Sequence, residues 1–466
     1  MTDQAEFVWD RHAEAEQLIL ALLEQFAAAM PAVRAFAADL VSRSGSRLVD
    51  WVDHIVLADA QGKLQRQLVD LGFEADAEAE VAGESDVVMG HRGAILPQVV
   101  LRSEAGEEPG KVLGVAIQVA EIRDFLMANR ISAAIEGSPL SPYRRARAWQ
   151  NSAEGRQFLA VERRGHRGFV PKEMPAGYAA QVLRAAERWA TRPRLVADEM
   201  EGMEQTLKLA RSLVSEVGVD TAAWIAFGAE RDYWQSRNRA GQVQKARQDS
   251  LGLGWANHDH HTFRSSRATF PLLIQILEAL GFRARERFYA GAEAGWGAQV
   301  MEQPACRFAV FADVDLSPDE VSGDFAHQPL APREELKTVG MWCALHGQSM
   351  LAAGLHHLAG RLSFQEATAG LAGWGIEMMR PFSEFSYLQQ AFTKGERWPV
   401  AAERLEQLAA SGQIDGGQRA RFAQAGALGS HLENIQRGEG FKGFNQARVS
   451  DIILRTDPRL SAEAQG

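Results

Sequence analysis

Two stretches of this chain, far apart in sequence, repeat one order of elements. "VDHIVL" leads to "LVDLGFE", and "NHDHHTF" leads to "ILEALGFR". In each, a histidine-bearing strand pattern precedes an amphipathic segment closed by Leu-Gly-Phe, and further strand-like runs follow. Glycine just past an apolar periodic segment is a helix stop. A recurring strand–helix–strand–strand–strand unit predicts paired modules that share a sheet. The copies are too few and too uneven for a solenoid. A third, weaker pass begins at "GLHHLAGRL" (354–362) and continues into the helical "SFQEATAGLAGWG" (363–375).

The rest of the chain fits around these units. Residues 13–45 have apolar positions at helical spacing, and 46–172 read as short strands with crossing helices, "EADAEAEVAG" among the strand candidates. Residues 176–250 turn helical again. The chain is thus expected to divide into 1–175, a helix plus a module; 176–250, a helical linker region; and 251–466, a domain in which the module pattern restarts. With 466 residues, two or three domains is the natural expectation.

Composition narrows the function. A net charge of −10 argues against a nucleic-acid binder with a wholly basic surface. Two cysteines, Cys306 and Cys343, exclude a disulfide framework and a cysteine-rich zinc site, and fit a reducing compartment. The opening "MTDQAEFVWDRHAEAEQ" lacks the apolar core of a signal peptide. No run approaches the roughly 18 apolar residues of a membrane helix. The expectation is a cytoplasmic protein without nucleic-acid or membrane partners; its oligomeric state is left open.

Eight histidines lie between 258 and 431, with two adjacent pairs, His260–His261 and His356–His357. Neighbours in a strand face opposite sides, so at most one histidine of each pair is expected in a given cavity. One from each pair plus a carboxylate from a third strand would form a two-histidine, one-carboxylate face. Such a face leaves metal positions open and suits non-heme Fe(II). Gln299, on the strand "GWGAQVME", is expected to line the same pocket.

Four segments in order carry a resemblance. They are "DHHTFR" (259–264), "VFADVDLSP" (310–318), "ALHG" (344–347) with the following "LHHLAGRL", and "ENIQR" (433–437) with "FKGFNQ" (441–446). In them the chain resembles the 2-oxoadipate dioxygenase/decarboxylase family of the vicinal oxygen chelate superfamily, over roughly residues 255–460. The resemblance implies an α+β fold, with βαβββ modules forming a curved mixed sheet around a metal site and helical additions. It implies Fe(II) held by His260, His357 and Glu433, and a substrate carboxylate bound by Arg264. The reaction it implies is oxidative decarboxylation and hydroxylation of a 2-oxo acid with dioxygen, of the 2-oxoadipate to 2-hydroxyglutarate type. Thr262 and His356 stand where the family has alanine and asparagine. His261, His356 and His431 remain competitors for the ligand positions.

In the N-terminal half, His54 matches His260 and Glu162 lies in a closing strand, but Ala58 matches Arg264 and no second histidine pair occurs. A degenerate structural module is expected there. Two other functions use the same fold: a non-redox metal-dependent isomerase or lyase of glyoxalase type, and a ligand-binding protein without metal.

Overall fold

The computed structural model describes residues 9–81, 83, 85–103, 108–292, 294–445 and 457–460. Gln446, which closes the last resemblance segment, lies outside them. The chain opens with α1 (Ala13–Ala29) and α2 (Pro31–Asp39). Pro31 at the first turn of α2 starts a new helix, where its missing N–H costs nothing. The α1 axis and the segment 31–44 meet at 118°. Ile19, Leu22, Phe26 and Phe36 on the two helices are buried in the core of the first sheet. No single helix among the described residues is long and apolar enough to cross a membrane.

Two modules follow. The first runs β1 (Val52–Ala58), α3 (Lys63–Asp70), β2 (Glu74–Ala75), β3 (Val87–Gly90) and β4 (Gln98–Arg102). The second runs β5 (Val112–Gln118), α4 (Ile122–Ala128), β6 (Ile135–Glu136), β7 (Tyr143–Asn151) and β8 (Arg156–Arg163). Their strands form one eight-stranded sheet in the order β2-β3-β4-β1-β5-β8-β7-β6. Among the described residues of "EADAEAEVAG", the expected strand is confined to Glu74 and Ala75. Its alternating carboxylates have no apolar face to bury, and Asp76 instead accepts from the Glu78 N–H in a local turn.

The helices α5 (Tyr178–Ala190), α6 (Glu199–Val217), α7 (Val219–Ser236) and α8 (Arg239–Asp249) come next. Trp189, Leu213, Phe227 and Trp234 share one apolar core with Phe263, Leu273, Val310 and Leu358 of the second sheet and its helix.

That second sheet repeats the first. One module is β9 (His258–Arg264), α9 (Phe270–Ala279), β10 (Arg283–Tyr289), β11 (Trp296–Gln303) and β12 (Phe308–Asp315). After α10 (Thr338–His346), the other is β13 (His357–Arg361), α11 (Phe364–Ala372), β14 (Ser383–Phe385), β15 (Leu388–Phe392) and β17 (Ala427–Arg437). The last strand is preceded by β16 (Glu396–Trp398), α12 (Ala402–Ala410) and α13 (Gly416–Ala425). The strand order is β10-β11-β12-β9-β13-β17-β15-β14, with β16 beside β17. In both sheets the first strand of each module pairs in parallel with its last, and the two modules meet antiparallel, β1 on β5 and β9 on β13. The fold is α+β, built from four βαβββ modules of vicinal-oxygen-chelate type in two open mixed sheets.

Candidate metal centre

The site sits on the central strands of the second sheet. Along β9, His260, Thr262 and Arg264 line a cavity of about 60 Å³. His261 faces the other side, edge-on to Phe227 of α7 and 3.3 Å from the Arg231 Nη1. Alternation therefore decides the first pair in favour of His260. It does not decide the second. His356 precedes β13 rather than lying in it, and both His356 and His357 line the cavity. The expectation of one cavity-facing histidine per pair fails there because the backbone is not yet strand. Partners decide instead. His356 Nδ1 is 3.2 Å from the Gly429 carbonyl, whereas His357 Nε2 turns towards Glu433. His431 has its Nδ1 3.1 Å from the Thr393 carbonyl.

The structure brings His260, His357 and Glu433 together, all three buried. Glu433 Oε2 is 3.1 Å from His260 Nε2 and 3.1 Å from His357 Nε2. Cis ligands of a six-coordinate first-row ion with bonds of about 2.1 Å stand about 3.0 Å apart. The donor set and its spacing fit a divalent metal. Glu433 Oε1 accepts from Gln390 Nε2 at 2.9 Å, which fixes the carboxylate plane. His260 Nδ1 lies 3.0 Å from Asp259 Oδ1, so the carboxylate holds the proton on Nδ1 and leaves Nε2 as donor. The Thr262 hydroxyl sits 2.8 Å from His357 Nε2.

The charges agree with this arrangement. Burial opposes a charge on His260, but Glu433 and Asp259 outweigh it and push the imidazole up to about 9. Burial also opposes the Glu433 charge, yet His260 and then His357 hold that carboxyl well below the usual range. Without metal, a proton stands between His260 and Glu433 where a cation would neutralise the carboxylate.

Arg264 is 1% exposed, and its Nε and Nη1 have no hydrogen-bond partner. Its nearest carboxylate, Asp313, is 3.7 Å away, longer than a hydrogen bond. Burial, only partly offset by Arg264, pushes Asp313 up to about 7. A buried guanidinium with idle donors beside a cavity can take up an anion. Phe288, Trp296, Phe311, Phe382, Phe392 and Phe444 wall the remaining space.

Gln299 does not line this cavity. Trp296, Ala298 and Val300 of β11 pack on the cavity side, so Gln299 points to the opposite face, where its Nε2 donates to the Glu286 carbonyl at 3.0 Å. Sequence reasoning gave no role to Asp259, Asp313 or Gln390. Asp259 adjoins a histidine, which is a readable signal; Gln390 has none, being one of two adjacent glutamines in a short strand.

Among the described residues, the first sheet carries no equivalent triad. Asp53 takes two hydrogen bonds from Arg163, 2.6 and 2.7 Å, as Asp259 does from Arg437, which aligns His54 with His260. In the second sheet Thr262 pairs with His357, and Ala359 with Glu433. In the first, Val56 pairs with Gly114, and Ala116 with Leu159. Gly114 and Leu159 thus stand in the two missing ligand positions. Glu162 is a different position, held by Arg144, Arg164 and the Ile122 N–H.

No protein-family model matches the chain, and no curated protein matches it. Solved structures do align with it. A glyoxalase superfamily protein from Ralstonia eutropha covers 58% of this chain and 99% of its own, at 13% identity and a TM-score of 0.32. Hydroxyglutarate synthase from Oryza sativa, in complex with 2-oxoadipate, covers 57% of this chain and 95% of its own, at 11% identity and a TM-score of 0.33. A 4-hydroxymandelate synthase variant from Streptomyces coelicolor covers 88% of this chain and 97% of its own, at 12% identity and a TM-score of 0.27. The fold assignment rests on the strand order and module symmetry.

Proposed function

We propose that this chain is an Fe(II)-dependent dioxygenase that oxidatively decarboxylates and hydroxylates a small 2-oxo acid. The observation that carries this reading is the buried Arg264 guanidinium, its Nε and Nη1 without hydrogen-bond partners, in the same cavity as His260, His357 and Glu433. When bound, Fe(II) supplies adjacent open positions for the 2-oxo acid and for dioxygen, and the redox chemistry between them. Overall, one 2-oxo acid and one dioxygen give carbon dioxide and a hydroxy acid one carbon shorter. One oxygen atom enters the new carboxylate and the other the hydroxyl, so the substrate supplies all the electrons.

The protein's part is positional. Asp259 keeps His260 in the ligating tautomer, and Gln390 holds the Glu433 carboxylate in plane. Arg264 receives a second carboxylate of the substrate through forked hydrogen bonds, on the strand that carries His260. The aromatic wall gives the cavity an apolar lining.

The test is anaerobic reconstitution with Fe(II), then oxygen uptake with 2-oxo mono- and diacids of increasing length. Uptake with stoichiometric carbon dioxide release is expected. A metal-loaded protein that consumes no dioxygen with any of them would leave the isomerase or lyase chemistry as the better reading.

A further inference from the structure

The first sheet has its own cavity, of about 380 Å³, at the place that holds the metal centre in the second. It lies over His54, Val56, Gly114 and Leu159. The register explains why it is open. Where the second sheet projects an imidazole from His357, a carboxylate from Glu433 and a guanidinium from Arg264, this one has Gly114, Leu159 and Ala58. The face is also thinly covered: Val56, Val100, Leu113 and Phe169 form only a small apolar cluster, while the matching face of the second sheet packs under Trp342 and its neighbours. Its volume falls in the range of small-molecule sites, about 300–1,000 Å³.

Its lining is not that of a vestigial core. Arg145 and Arg147 alternate along β7 and both line the cavity. They share one carboxylate, Glu136, at 2.8 Å each, and Glu136 is not among the lining residues. Arg102 and Asp86 also line the cavity and offset each other, 3.8 Å apart, so among the described residues the two guanidiniums on Glu136 leave a net positive charge. Beside it lie Val56, Val81, Val100, Leu113, Leu159 and Phe169.

We propose that this cavity is a second, metal-free ligand site, which binds an organic monocarboxylate with a compact apolar body. Arg145 and Arg147 take the carboxylate, and Val56, Leu159 and Phe169 take the body. Such a ligand needs no 2-oxo group, because no metal is there to be chelated. The site is independent of the reading given to the metal centre.

The experiment is calorimetric titration of the full chain with phenylacetate, 4-methylpentanoate and the neutral phenylacetamide. The proteins are the natural chain, Leu159→Trp, the double variant Arg145→Gln/Arg147→Gln, and Glu433→Ala. At least one acid should bind saturably to the natural chain and equally to Glu433→Ala, and the amide should not. Leu159→Trp puts an indole where the apolar body would lie and should weaken binding at least about tenfold with iron content unchanged. The double variant, altered at partly exposed side chains, should bind at least about tenfold more weakly. Absence of binding by both acids, equal binding of acid and amide, or undiminished binding in the folded double variant would each overturn the proposal. Loss of binding in Glu433→Ala alone would assign the acid to the metal cavity and overturn it too.

Discussion

Asp259 and Arg437 are joined by two parallel hydrogen bonds, 3.0 and 2.9 Å, between the strand that carries His260 and the strand that carries Glu433. The pair is buried, and the Arg437 Nη1 also donates to the carbonyls of Phe441 and Gly443. One guanidinium thereby orients the His260 imidazole through Asp259 and anchors the loop that places Phe444 against His260.

Arg437→Ala should therefore cost both stability and metal. Removing one partner of a buried pair typically costs about 3–5 kcal/mol. Chemical denaturation and iron content read the two losses. Unchanged iron binding in a destabilised variant would show that Asp259 needs no second anchor.

Arg264→Ala should retain iron and lose turnover. A lost charged hydrogen bond in a dry site is worth about 1.5–3 kcal/mol, roughly a ten- to hundredfold drop in kcat/KM. Arg264→Lys keeps the charge without the fork and should also be impaired. If Arg264 serves only as the ion-pair partner of Asp313, the melting temperature falls and oxygen uptake does not. Measuring both on the same variants separates the two roles.

The loop after β12 carries an acid-sensitive tie. Glu320 accepts two hydrogen bonds from Arg267, 2.6 and 3.0 Å, and others from Arg333 and Ser317. The Arg267 hydrogen bonds are the main cause that brings its carboxyl down to about 2 from an ordinary 4.5. A carboxylate with a depressed folded-state pKa stabilises above its unfolded value and loses that contribution as pH falls through its folded one. The natural protein should be more stable than Glu320→Gln at pH 7. The gap should close as pH falls from about 4.5 towards 2. Melting curves across that window check it; a gap independent of pH would contradict the assignment.

Much of this was readable from sequence because the constraint repeats locally. A histidine on a strand, a Leu-Gly-Phe helix stop and further strands mark β1 and β9, and the strand order follows from pairing two such modules. The second module, β5 to β8, lacks that signature and was visible only as a strand, a helix and a closing strand, not as a repeat of the first. Its strands serve a sheet whose ligand positions are Gly114 and Leu159, so no chemistry marks them. That His260 rather than His261 faces the cavity follows from the side that α7 covers, and that His357 rather than His356 turns to Glu433 follows from their partners; both are tertiary facts. Gln299 was misplaced by one step of strand alternation, the commonest way a face is misjudged.

The central claim is that His260, His357 and Glu433 together hold one iron. Anaerobic equilibrium dialysis against Fe(II), followed by metal analysis, tests it most directly on the natural chain, Glu433→Ala, His357→Ala and the control His261→Gln. The account predicts one iron per chain in the natural protein and the control, and loss of most of it in the other two. Full iron occupancy in both Glu433→Ala and His357→Ala would contradict it.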